Sequence, residues 1–126
     1  MASIGVRERA DAERFAATWA ADWNSHDLDR IMRHFAADVV FRSPVAAELL
    51  EGCDGTVRGK DALRGYFAAG IRRFPDLHFE VIEVYTGIDT IVINYRNQNG
   101  RLVNEIMTFD GSLVVAGAGT YGPQEA

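Results

Sequence analysis

The segment from Trp23 to Pro44, WNSHDLDRIMRHFAADVVFRSP, constrains the fold more than any other part of the chain. It holds the end of an aromatic-faced helix, a tight corner at Asn24-Ser25-His26, a short helix with Asp27 as its N-cap, and a strand that stops at Pro44. Upstream, Ala12, Phe15, Ala16, Trp19, Ala20 and Trp23 recur at three- and four-residue steps, which predicts one helix from about Val6 to Trp23 with a single apolar stripe. Arg7, Arg9, Asp11, Arg14 and Asp22 lie mostly off that stripe. Leu28, Ile31, Met32 and Phe35 form the stripe of the second helix, which Ala36-Ala37-Asp38 ends. Val39 to Ser43 is β-branched and aromatic, hence a strand. This order begins a cone-shaped α+β fold that encloses an apolar pocket.

Downstream, residues 45–59 read as a long Gly-containing loop, and that length favours a functional or mobile lid. Leu63, Tyr66, Phe67, Gly70, Ile71 and Phe74 line one face of a third helix, with Asp61 in its first turn, Arg72 and Arg73 in its last, and Pro75 as its stop. The remainder is strand. Leu77 to Tyr85 alternates and then changes phase at Ile82, the mark of a bulge. Asn99-Gly100 and Asp110-Gly111 are hairpin turns around a strand from Arg101 to Phe109, with Ile91 to Arg96 before it and Ser112 to Tyr121 after it. The fold class is therefore α+β, with three N-terminal helices on a strongly curved mixed sheet, in a single domain over residues 1–126.

Composition narrows the function classes. The formal net charge is −5 over 126 residues, which gives no electrostatic footprint for nucleic acid or an anionic membrane surface. No apolar run reaches the length of a membrane span. The N-terminus lacks a secretory core and Cys53 is the single cysteine, so a cytoplasmic protein without disulfides is expected. Cys53 lies between acids in EGCDG, a setting that does not favour a thiolate. His26, His34 and His78 have no metal-ligand spacing, so no metal is expected. His26 suits a structural bond in the helix corner, and His34 falls on the solvated side. No nucleotide fingerprint is present, and no cofactor is expected.

Trp23-Asn24-x-His26-Asp27-Leu28-Asp29, then Phe35-Ala36-x-Asp38-Val39, then Gly59-Lys60-x-Ala62-Leu63-Arg64, with Phe109-Asp110-Gly111 and Tyr121-Gly122, together resemble the NTF2-like superfamily. The closest branch is that of the SnoaL-like polyketide cyclases and ketosteroid isomerases, and the resemblance covers nearly the whole chain. It implies a conical pocket and a homodimer formed through the outer sheet face. In the isomerase branch a Tyr on helix one and an acid on a long strand donate hydrogen bonds to an enolate oxygen, and an Asp before a Pro moves the proton. The resemblance places these roles on Trp19, Glu105 and Ser43, with Tyr66 as pocket wall. Trp19 still offers an indole N–H, but Ser43 cannot serve as a carboxylate base. Tyr95-Arg96-Asn97 with Glu105 is also similar, less specifically, to the cluster of epoxide hydrolases in the same superfamily.

Glu105 stands out without any family. Val103, Glu105, Met107 and Phe109 share one strand face, and a carboxyl among them loses hydration, which raises its pKa towards neutrality. The alternatives are an acid on a partly solvated face, or one paired with an Arg such as Arg96 or Arg101. Phe15, Phe41, Tyr66, Met107 and Tyr121 complete the expected binding wall, aromatics at core spacing that serve as core and wall together. Ser43 either points inward or caps a turn. Gly117 and Gly119, on the face of Tyr121, either widen the pocket or bend the strand. Val92, Leu102, Ile106 and Val114 are expected on the convex face, apolar enough to pair with a second copy. Two functions fit: cofactor-free acid–base chemistry of isomerase or cyclase type on a small hydrophobic carbonyl compound, or a non-catalytic module that binds a small molecule or partner.

Overall fold

The structure is a computed structural model that describes residues 9–123. The expected helix start at Val6 lies outside them. The elements are α1 (Arg9–Ser25), α2 (Leu28–Met32), β1 (Phe35–Arg42), α3 (Pro44–Leu49), β2 (Thr56–Arg58), α4 (Lys60–Arg73), β3 (Glu80–Gly87), β4 (Thr90–Arg96), β5 (Leu102–Asp110) and β6 (Leu113–Tyr121). One curved sheet of order β2-β1-β6-β5-β4-β3 carries all six strands. It is mixed: β1 and β6 run parallel, and every other neighbouring pair is antiparallel. The helices cover its inner face, and the α+β class read from the sequence holds.

Each element follows from local chemistry. Asp27 caps α2 by accepting from the backbone N–H groups of Asp29 and Arg30, which satisfies donors left free at a helix start. His26 adopts φ 60° and its Nε2 meets the Leu77 carbonyl at 2.8 Å, so the corner residue ties α1 to the segment before β3. Asn24 does the same with both amide atoms on Phe79. The expected β3 bulge lies between Val81 and Glu83, leaving Ile82 outside and Val84 inside. Gly100 and Gly111 take positive φ at the two hairpin turns, as Asn-Gly and Asp-Gly require.

Four expectations are corrected. First, Phe35, read as the last apolar residue of helix two, opens β1 and pairs with Val114; the helix stops at Met32. Second, residues 45–59 are not a structureless loop. Ser43 caps α3, Pro44 occupies its first turn, and β2 then pairs with β1. Third, Val114 is fully buried, because β6 shifts register between the partners of Thr108 and Phe109, which turns Val114 to the core side. Fourth, Asp22 is expected mostly off the apolar stripe of helix one and His34 on the solvated side. They form a buried pair instead, with His34 Nε2 2.6 Å from Asp22 Oδ2 and the Arg33 guanidinium 3.2 Å from the same oxygen.

The core is continuous from Ala12 and Ala16 on α1, through Ile31, Phe35 and Leu63, to Ile91, Met107 and Val114 on the sheet. Among the described residues no helix is long and apolar enough to cross a membrane.

Candidate functional site

The sheet and helices part at one end of the cone and leave a cavity of about 1030 Å³. Its inner wall is aromatic: Trp19 and Trp23 from α1, Phe41 from β1, Tyr66 from α4, Phe79 before β3 and Tyr95 from β4. Trp19 stacks on Phe79 at 5.5 Å and meets Tyr95 edge-on at 5.1 Å. Such ring pairs hold a wall rigid. The Asn99-Gly100 hairpin, α3 and the end of α4 form the rim.

Polar groups converge at one place on this wall. Glu105 on β5 is only 8% exposed, and its side chain faces the cavity as strand alternation dictates. Burial pushes its carboxyl up to about 8, and a bond from Tyr95 pulls weakly the other way. The Tyr95 hydroxyl donates to Oε1 at 3.4 Å, a long bond that orients the carboxyl without saturating it. Neither Arg96 nor Arg101 forms an ion pair with it among the described residues, so the alternative of a salt-bridged Glu105 is not what the fold adopts. At neutral pH the carboxyl is chiefly protonated and can donate a hydrogen bond.

Ser43 reconciles both readings of its role. Its Oγ accepts from the Val45 backbone N–H at 3.2 Å, capping α3, and from the Tyr66 hydroxyl at 3.3 Å. A hydroxyl has two lone pairs and one proton. The Ser43 hydroxyl also lies in reach of Tyr121, so its one proton serves these tyrosine oxygens or a ligand oxygen. Tyr66 stays a phenol: burial raises it above the usual phenol range, while the Ser43 contact lowers it slightly. Burial pushes Tyr121 up to about 12, helped by Glu105 once that carboxyl ionises, while a hydrogen bond from Ser43 pulls the other way.

Gly119 decides what these donors can reach. It pairs with Glu105 across β5 and β6. A Cβ at this residue would lie 3.5 Å from Ser43 Oγ, 3.8 Å from Glu105 Oε1 and 3.5 Å from Tyr121 Cε1. Gly119 thus leaves open space beside the Ser43 hydroxyl and beside Glu105 Oε1, the oxygen that accepts from Tyr95. Gly117, on the same strand face, is different. A Cβ there would come within 2.6 Å of Phe41 Cδ2, so the Phe41 ring already fills that gap.

The structure brings Glu105, Ser43, Trp19, Phe41, Tyr66 and Tyr121 to one cavity. Phe15 and Met107 are not on it: Phe15 packs edge-on against His34 and Phe109, and Met107 is fully buried in the core. Met107 shares the strand face of Glu105 but lies one pleat deeper, where Gly117 and Phe41 close the cone. Tyr95 enters the sequence reading only through the less specific epoxide-hydrolase-like cluster, not as a wall or catalytic residue. Its signal was available, since it follows Ile91 and Ile93 at two-residue spacing on the inner face of β4. Among the described residues no three His, Cys, Asp or Glu side chains are grouped as metal ligands. Cys53 is half-buried beside Thr56 and is not among the residues lining the cavity.

No curated protein matches the sequence. Solved structures do. A SnoaL-like protein of unknown function from Burkholderia thailandensis is 36% identical, with a TM-score of 0.85 over 93% of this chain and 99% of its own. A candidate isomerase of the SnoaL-like family from Agrobacterium tumefaciens superposes with a TM-score of 0.71 at 14% identity, covering 90% of this chain and 99% of its own. A candidate polyketide cyclase from Sinorhizobium meliloti gives 0.71 at 13% identity, over 90% and 100%. These last two show a common fold. The model of the SnoaL-like domain matches residues 12–116, from the first buried alanine of α1 into β6, and the chain belongs to the SnoaL-like family.

Proposed function

We propose that the cone binds a small, mostly hydrophobic carbonyl compound and polarises its oxygen without a cofactor, as an isomerase or cyclase does. One observation carries this reading: the space left by Gly119 is bordered by the Ser43 hydroxyl and by a Glu105 carboxyl that burial favours in its protonated form. An oxygen seated there accepts two hydrogen bonds in a water-poor wall, the arrangement that stabilises a developing enolate. Glu105 is the acid and Ser43 the second donor. Tyr66 and Tyr95 fix their orientation, and Trp19, Phe41 and Tyr121 hold the apolar body of the compound. Fold neighbours described as a candidate isomerase and a candidate cyclase are consistent with it.

A second reading, a binding module with no turnover, is favoured by position 43. A neutral serine hydroxyl lacks the basicity of a carboxylate and does not take a proton from carbon. A homodimer through the outer sheet face accompanies either reading, since Tyr85 and Leu102 leave 58% and 43% of their surface exposed there.

The test is 2-acetylnaphthalene, a neutral aromatic ketone, followed by its fluorescence and its carbonyl stretch. Binding with the stretch shifted to lower frequency is expected. Gly119→Ala fits the fold, because its Cβ contacts are ordinary van der Waals distances. It should abolish the shift. A ketone that does not bind, or an unshifted stretch in the native protein, would defeat the reading.

A further inference from the structure

The wall of the cavity is aromatic, but its rim carries charge of one predominant sign. Arg73 at the end of α4 and Arg96 and Arg101 on the β4–β5 hairpin line it, against a single rim carboxylate, Glu48. This occurs in a chain whose net charge is −5. Arg96 lies opposite Glu80 in the β3–β4 register and donates to the Gly100 carbonyl at 2.9 Å, so it is committed to the hairpin. Arg101 is held differently. Its Nε donates to the Gly122 carbonyl at 2.7 Å, and its guanidinium lies 5.2 Å over the Tyr121 ring. Backbone and ring fix its position. Among the described residues no carboxylate pairs with it or with Arg73, whose guanidinium rests over Phe74 at 5.2 Å.

Tyr121 links this cation to the inner site. One edge of its ring adjoins the space at Gly119, while the guanidinium of Arg101 covers its face. A compound lying along Tyr121 with one oxygen at Gly119 therefore directs its far end to Arg101. A pre-positioned guanidinium with free N–H groups recognises a carboxylate in two-pronged fashion.

We infer that the ligand is two-ended: an aromatic or polycyclic keto acid whose ketone enters the space at Gly119 and whose carboxylate is held at the rim by Arg101, with Arg73 as a second cation. This inference rests on the reading of the cavity as a carbonyl-binding site and adds the substrate class.

The probes are 6-acetyl-2-naphthoate and its methyl ester, compared by fluorescence titration at pH 7 and by infrared spectroscopy. The acid is expected to bind about tenfold more tightly than the ester, as one charge-assisted contact implies. That preference should shrink in high salt. It should disappear in the Arg73→Gln/Arg101→Gln pair and weaken in Arg73→Gln alone, an exposed position whose change leaves the fold intact. The acetyl stretch should remain shifted in both complexes. An ester that binds as tightly as the acid, or a preference that survives the double substitution, would overturn the inference while leaving the carbonyl site standing. A shifted carboxylate with an unshifted ketone would also overturn it, because the acid group would then occupy the inner space. Failure of both probes to bind would remove the carbonyl site and the inference together.

Discussion

Two acids are buried among the described residues, one at a helix corner and one on the sheet, and they do different work. Asp22, 4% exposed, sits where α1 meets the turn into β1 and is gripped by His34 and Arg33. Glu105, 8% exposed, sits on the sheet inside the cone and has only a long contact from Tyr95. A buried carboxylate beside cationic or hydrogen-bonding partners is an architectural tie. A buried carboxyl left without a charge partner is protonated, and proton donation is then available for chemistry. Burial alone therefore does not mark a site. The partner set does.

Substitution separates the two most sharply at Asp22. Asp22→Ala leaves the largely buried His34 without its acceptor, while the exposed Arg33 returns to water, and should destabilise the fold by about 2 kcal/mol, the usual cost of an unpaired buried polar group. Urea unfolding measures it. A loss below about 1 kcal/mol would mean the tie is ornamental and would blur the contrast with Glu105. Glu105→Gln should do the opposite, leaving the fold intact and removing the acid, so that turnover of a β,γ-unsaturated ketone, with solvent water taking the carbon-bound proton, falls about a hundredfold. If the protein is a binding module, affinity changes little and there is no turnover to lose.

The pH dependence of stability is a subtler probe. Glu105 has a folded-state pKa of about 8 against an ordinary 4.5. Its raised value means that the native state favours the protonated form. The associated stability is complete below about pH 4.5 and is lost progressively as pH rises through about 8. Thermal unfolding of the native chain and of Glu105→Gln should therefore diverge between those limits, with the Gln variant relatively more stable at high pH. Parallel curves would show that Glu105 is hydrated rather than sequestered. Ser43→Asp is expected to have a smaller effect, a weak gain of proton transfer on the same ketone, since it supplies the base that Ser43 lacks. At the outer face, sedimentation at micromolar concentration is expected to give a homodimer, and a monomer would reassign Tyr85 and Leu102 to ordinary exposed surface.

Much of this was legible in the sequence, for identifiable reasons. The Asn99-Gly100 and Asp110-Gly111 turns fix β4, β5 and β6, so the inward placement of Glu105 followed from alternation alone. The errors lie where one residue satisfies two rules. Phe35 fits a helical step after Ile31 and also opens a β-rich run; pairing with Val114 decides for the strand. Pro44 was read as the end of a strand, yet Ser-Pro is equally a cap followed by a first-turn proline, and that second sense revealed α3. Asp22 and His34 were unreadable as a pair, because only the fold brings the end of α1 against the start of β1. Gly119 could be seen as a missing side chain, but which groups border the gap depends on the parallel pairing of β1 with β6.

That pairing has a consequence in time. Ser43 follows β1 near the start of the chain, and Gly119 lies in β6 near its end, so the inner space does not exist until the last strand docks beside the first. Contacts so distant in sequence form late and slowly. A compound that fits the space meets nothing to bind in a partly folded chain and selects the finished one. Ligand present during refolding should hold the closed sheet by mass action, so that occupancy and completion of the fold become a single event.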